Sequence, residues 1–159
     1  MNPLPALGPR GEGWVLGQFV LLWAVAVAAA LGGMPLVEPA STLVRAVGGT
    51  AVFAGLLVVF GAAVQLRSAF SILPRPTETA KLVEAGLYRY VRHPIYSGVV
   101  LVCAGASVYA WSPSAALVTV ALAVWLDLKA RREEAWLRER FAGYAEYARR
   151  TKRFVPAIY

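Results

Sequence analysis

Residues 86–98 read Gly-Leu-Tyr-Arg-Tyr-Val-Arg-His-Pro-Ile-Tyr-Ser-Gly, which gathers two arginines, three tyrosines and the chain's single histidine into 13 residues. Pro94 keeps His93 out of the α region and suits the first position of a new helix. Arg92 and His93 then stand at a helix N-terminus, where free backbone N–H groups and the macrodipole favour an anion. A charged cofactor suits such a corner. So does an interfacial loop, with its tyrosines in an aromatic belt and its arginines facing lipid headgroups. A second polar cluster spans 131–147 and carries Glu133 and Glu134 among arginines. Adjacent side chains on a helix point about 100° apart, so one glutamate of the pair is expected to face a site and the other water. Glu134 and Arg138 have the i, i+4 spacing of an ion pair.

These clusters are set among apolar runs. The 159-residue chain is 58% hydrophobic and 16% charged, against about 25% charged in soluble domains. The net charge of +7 lies in short segments beside the apolar runs. That distribution answers anionic membrane lipid and argues against a nucleic-acid partner. With one cysteine, Cys103, and one histidine, neither an intrachain disulfide nor a metal site is expected.

Four spans follow from the charge-free stretches. Residues 14–31 are long enough to cross a hydrocarbon core of about 30 Å and are read as a retained first helix, although Arg10 and the alanines at 28–30 resemble a signal peptide. The second span covers 43–66, with Ser41 or Thr42 as N-cap. Its Gly48, Gly49, Gly55 and Gly61 are read as close-packing positions. Pro74 and Pro76 break the chain, Thr77 caps a short helix to Glu84, and Gly86 takes its C′ position. Residues 94–126 carry no charge and are interrupted by Ser112-Pro113-Ser114, an N-cap and first-turn pair. They divide into spans over about 95–111 and 113–128. Asp127 and Lys129 are expected to snorkel toward water, and a cytoplasmic helix continues over about 129–150. Phe154, Val155 and Tyr159 are placed to pack back.

The N-terminus, residues 67–93 and the tail after 128 hold 15 of the 16 Lys and Arg residues. Four spans with both termini cytoplasmic satisfy the positive-inside rule; three would set the basic tail opposite the basic loop. The expected fold is an all-α polytopic membrane protein with a cytoplasmic helical extension, one domain over residues 1–159. Helices joined by a tight turn are neighbours, so Arg92, His93 and Tyr96 should approach Glu133 and Glu134.

Arg92-His93-Pro94-Ile95-Tyr96-Ser97-Gly98 resembles the Arg-His-Pro-x-Tyr-x-Gly signature of isoprenylcysteine carboxyl methyltransferases and the related phospholipid methyltransferases. The lead-in Gly86-Leu87-Tyr88-Arg89-Tyr90-Val91 is similar to their Gly-Pro-Tyr-Arg-Tyr-Val, with Leu87 for proline. Glu133-Glu134-Ala135-Trp136-Leu137 resembles their Glu-Glu-x-x-Leu. Tyr144, Tyr147, Thr151, Arg153 and Pro156 match the Tyr-x-x-Tyr-x-x-x-Thr-x-Arg-x-x-Pro ending. Phe141-Ala142-Gly143-Tyr144 is one residue shorter than the family's Phe-Gly-x-x-Tyr, which in a continuous helix rotates all that follows by about 100°.

The resemblance implies an integral membrane methyltransferase that uses S-adenosylmethionine. The cofactor's carboxylate would meet Arg92 and the helix N-terminus beside His93, and its ammonium or ribose hydroxyls would meet Glu133 or Glu134. Tyr88 or Tyr96 would line the adenine, and Gly98 would allow close backbone approach. The acceptor, a lipophilic small molecule or lipid, enters from the bilayer. Arg153 or Arg92 would hold a carboxylate acceptor through a bidentate pair; with an amine acceptor, His93 is the candidate to remove the proton. Carboxyl O-methylation of the isoprenylcysteine type is the nearest match. A membrane-embedded nicotinamide-dependent reductase and a non-catalytic membrane adaptor are the alternatives. Sequence leaves the oligomeric state open.

Overall fold

A computed structural model describes residues 4–35, 37, 40–66, 75 and 82–159. Its helices are α1 (Glu12–Leu31), α2 (Ala40–Leu66), α3 (Pro94–Tyr109), α4 (Pro113–Arg140) and α5 (Tyr144–Arg150), with a 3-10 turn at Gly86–Arg89. Three of these, α1, α2 and α4, are long and apolar enough to cross a bilayer; α3 is apolar but only 16 residues long. The chain is an all-α, multi-pass membrane protein. Large apolar side chains point outward along the bundle, Trp23 and Phe60 each 71% exposed. That is the arrangement a hydrocarbon solvent selects, because helices satisfy their own backbone groups and lipid accepts the side chains.

Helix pairing follows small residues. On α2 and α3, Gly55 faces Gly98 and Gly48 faces Gly105. A Cβ added to Gly98 would lie 2.8 Å from the Gly55 carbonyl oxygen, and one added to Gly105 would lie 2.8 Å from that of Gly48. Such backbone approach leaves no room for a side chain. Gly49 and Gly61, grouped with them by sequence, have looser surroundings. Helix α1 lies on α4, where Trp125 donates its indole N–H to the Trp14 carbonyl at 3.0 Å. Val25, Cys103, Leu122 and Leu126 form a buried core shared by α1, α3 and α4, with Tyr96 packed against it. The α3–α4 turn forms as its residues dictate, since Ser112 accepts from the Ala115 N–H and Pro113 opens α4. Ser112 also donates to the Ala28 carbonyl at 2.8 Å, fixing the turn to the end of α1.

Several expectations need correction. Helix α2 starts at Ala40, so Ser41 and Thr42 lie inside its first turn. Helix α3 ends two residues early, at Tyr109. Most of the short helix expected over 77–84 lies outside the described residues; 82–84 are not helical. Gly86 does adopt the left-handed φ of 61° that suits glycine. The tail is not one helix over 129–150. Helix α4 stops where Phe141 turns extended, and α5 begins at Tyr144. This break absorbs the one-residue shortening, and both Tyr144 and Tyr147 remain buried. Lys129 does not snorkel: it is 2% exposed. Asp127 is partly buried and binds Arg153 and Arg131.

Candidate active site

The end of α3 is built as its sequence suggests, with His93 as N-cap and Pro94 as first helical residue. What holds it in place is the C-terminal tail. Val91 and Lys152 form a parallel bridge. The Arg92 N–H donates to the Lys152 carbonyl at 2.8 Å and the His93 N–H to that of Arg153 at 3.1 Å. Ser97 donates its hydroxyl to the Phe154 carbonyl at 2.7 Å, and Tyr147 donates to the Tyr88 carbonyl at 2.7 Å. Residues 57 to 61 positions apart are thus joined along one seam.

Glu134, 1% exposed, lies at the centre. Its Oε1 accepts from Arg92 Nε and Arg153 Nε, each at 3.0 Å, and lies 3.3 Å from His93 Nε2. Arg153 Nη2 and Arg138 approach Oε2 at 3.3 and 3.6 Å. Burial alone would push this carboxyl up. The hydrogen bonds from His93 and Arg153 and the charge of Arg92 outweigh it and hold Glu134 well below the usual carboxylate range. Arg92 also donates to the carbonyls of Ala148 and Thr151 at the end of α5, where a cation complements the helix dipole.

Glu133 faces the same point. Its Oε2 accepts the Tyr96 hydroxyl at 2.8 Å and stands 3.9 Å from His93 Nδ1. The two glutamates both engage the site because an imidazole carries a nitrogen on each side, and His93 bridges the angle between them. Its ring stacks on Tyr96, centroids 5.2 Å apart, with Phe154 at 5.8 Å. Tyr88 is also buried, and its carbonyl accepts from Tyr147. Burial pushes the phenols of Tyr88, Tyr144 and Tyr147 up, so all three remain protonated donors.

Arg92, His93, Tyr96, Glu133, Glu134 and Arg153 therefore converge, with Tyr88 adjoining. Gly98 does not join them, because the space beside it is filled by Gly55 and Val59 of α2. Phe154 packs back as expected, against the His93 ring, but sequence assigns neither it nor Lys129 nor Tyr144 to the site; the buried Tyr144 hydroxyl has no hydrogen-bond partner among the described residues. A lysine at the end of an apolar helix was the visible signal for Lys129, and the matched ending was the signal for Tyr144.

A family model described as phospholipid methyltransferase matches residues 43–143, which include both glutamates and the whole of α3. The chain belongs to the phospholipid methyltransferase family. It is 37% identical over 87 residues to protein-S-isoprenylcysteine O-methyltransferase B of Arabidopsis thaliana, covering 53% of this chain and 44% of that protein. Its fold is similar to that of the eukaryotic intramembrane Ras methyltransferase ICMT (isoprenylcysteine carboxyl methyltransferase), with a TM-score of 0.68 at 20% identity. That match covers 95% of this chain and 53% of the other. The chain spans about half the length of the relatives it matches. At that identity the structural likeness speaks for the fold alone. Within this phospholipid methyltransferase family member, the seam of 90–93 with 151–154 closes the site with residues beyond the matched stretch.

Proposed function

We propose that this protein is an integral membrane methyltransferase that uses S-adenosylmethionine to methylate the carboxylate of a lipophilic acceptor. One observation carries this: within the family-matched stretch, His93 and Tyr96 from one segment meet Glu133 and Glu134 from another at the end of α3. The residues fit the cofactor. Glu133 is partly exposed, at 24%, and suits its ammonium or a ribose hydroxyl. The Tyr144 hydroxyl is an orphaned buried donor, a state that costs about 1–3 kcal/mol and that a ligand acceptor relieves. The aromatic cluster of His93, Tyr96 and Phe154 suits a sulfonium.

When bound, S-adenosylmethionine would supply an electrophilic methyl group to the acceptor oxygen, the C–S bonding pair staying on sulfur. With a carboxylate acceptor no proton moves. The protein's work is to position the reactants and exclude water. Glu133, His93, Tyr96 and Tyr88 would hold the cofactor, whereas Glu134, saturated by Arg92 and Arg153, fixes the orientation of His93. Arg92 and Arg153 are thus positioning residues rather than acceptor ligands. The positive-inside rule sets both termini and this site in the cytoplasm.

Calorimetric binding of S-adenosylhomocysteine to protein purified in detergent tests the proposal. Wild type should bind, and His93→Ala and Glu133→Ala should each weaken binding about tenfold or more. Folded wild type that binds none would refute it and leave the adaptor or the reductase.

A further inference from the structure

The sequence offers Arg153 or Arg92 as holder of an acceptor carboxylate, but both guanidiniums are committed elsewhere. Arg92 serves Glu134 and the end of α5, and Arg153 serves Glu134 and Asp127. Lys129 is different. It is 2% exposed, its ammonium donates to the neutral Gln18 side chain of α1, and it sits 5.0 Å from the centroid of the Tyr96 ring. That ring is the one on which His93 stacks and whose hydroxyl binds Glu133. Glu133, one turn along α4, adds a favourable field, while the ammonium's hydrogen-bond partner among the described residues is Gln18.

A buried ammonium held by an amide and a ring face has no counter-charge in direct contact. It has three protons to donate, and Gln18 takes one. Lys129 also precedes Glu133 on α4, one turn nearer the apolar part of that helix.

Resting on the methyltransferase function above, we infer that Lys129 is the specificity-determining residue for the acceptor, binding the carboxylate of a lipophilic acid beside Tyr96. Methylation removes the acceptor's charge, so the ester product loses this ion pair and is released to the bilayer.

The test compares binding of N-acetyl-S-farnesylcysteine with that of its methyl ester, in detergent, with and without S-adenosylhomocysteine. Wild type should prefer the carboxylate by about 10- to 100-fold, the value of a charge-assisted hydrogen bond. Lys129→Met should bring the ratio near one without changing affinity for S-adenosylhomocysteine, and Lys129→Arg should restore most of it. If Lys129→Met does not fold, Gln18→Leu decides: removing the ammonium's present partner should tighten the carboxylate and not the ester. An unchanged ratio there, no preference in wild type, or a preference that survives Lys129→Met overturns the inference. A Lys129-dependent preference in protein that binds no S-adenosylhomocysteine would retain the anion site and refute the methyltransferase function.

Discussion

Replacing Glu134 by glutamine is expected to loosen the whole site end of the molecule. The carboxylate is 1% exposed and receives Arg92, Arg153 and His93, so it joins α3, α4 and the C-terminal tail at one point. Glutamine offers a single acceptor oxygen and turns an NH2 group toward guanidinium donors. Breaking a buried ion pair by removing one partner costs about 3–5 kcal/mol. Arg92 retains the Ala148 and Thr151 carbonyls and Arg153 retains Asp127. The loss should therefore fall at the lower end, about 3 kcal/mol, or roughly 150-fold in the folding constant. Unfolding in mixed micelles, followed by fluorescence of the five tryptophans, measures it. Glu133→Gln is the control, since Glu133 is partly exposed and makes one hydrogen bond, to Tyr96; its cost should be about 1 kcal/mol. Equal losses for the two variants would refute the assignment of Glu134 as the central tie. The pH dependence has a definite sign. Glu134's folded value lies below the ordinary 4.5, so its stabilisation is complete above 4.5 and is lost as the pH falls through that lower folded value. Wild type should hold this tie throughout the neutral range.

Gly98→Val should lower folded yield sharply, because its Cβ would meet the Gly55 carbonyl oxygen at 2.8 Å and overpacking costs about 1–3 kcal/mol or more. Gly143→Ala has open space and a φ of −78°, so it should be tolerated or stabilise by about 0.4–1 kcal/mol; size-exclusion yield and unfolding compare the two. Tyr144→Phe removes a hydroxyl without a partner, so free-protein stability should be unchanged or higher while S-adenosylhomocysteine affinity falls; equal affinity would remove Tyr144 from the site. Cysteines placed at exposed Glu146 and Trp111 should be labelled from opposite sides of a sealed membrane vesicle, and labelling from the same side would refute the four-span topology.

What was legible in the sequence was local. Pro94 and Ser112-Pro113 state helix starts through their own geometry, and charge-free runs state spans through length. Glu133 and Glu134 were legible as a pair, but their shared engagement was not, because a 100° separation argues against it until the two-sided ring of His93 is placed between them. Lys129 was misjudged because snorkelling assumes free water at a helix end, whereas α1 supplies Gln18 there. Gly98 packs on α2, which sequence did not show because a glycine one turn from a site and a glycine against a neighbouring helix look alike there. The tail was the largest omission. Its pairing of Lys152 with Val91 joins two short segments that carry no alternating pattern.

That omission bears on how the site assembles. The seam supplies the carbonyls of Lys152 and Arg153 to the backbone of Arg92 and His93, and Arg153 supplies one of the charges on Glu134. The apolar helices can pair through Gly48, Gly55, Gly98 and Gly105 without any of this, since those contacts lie within α2 and α3. His93 is fixed between its two glutamates only once residues 151–154 are in place, because Phe154 packs against its ring and Arg153 holds Glu134. Membrane packing and site geometry are thereby separable. The spans set where α3 ends, and the last residues of the chain decide what the side chains at that end can do.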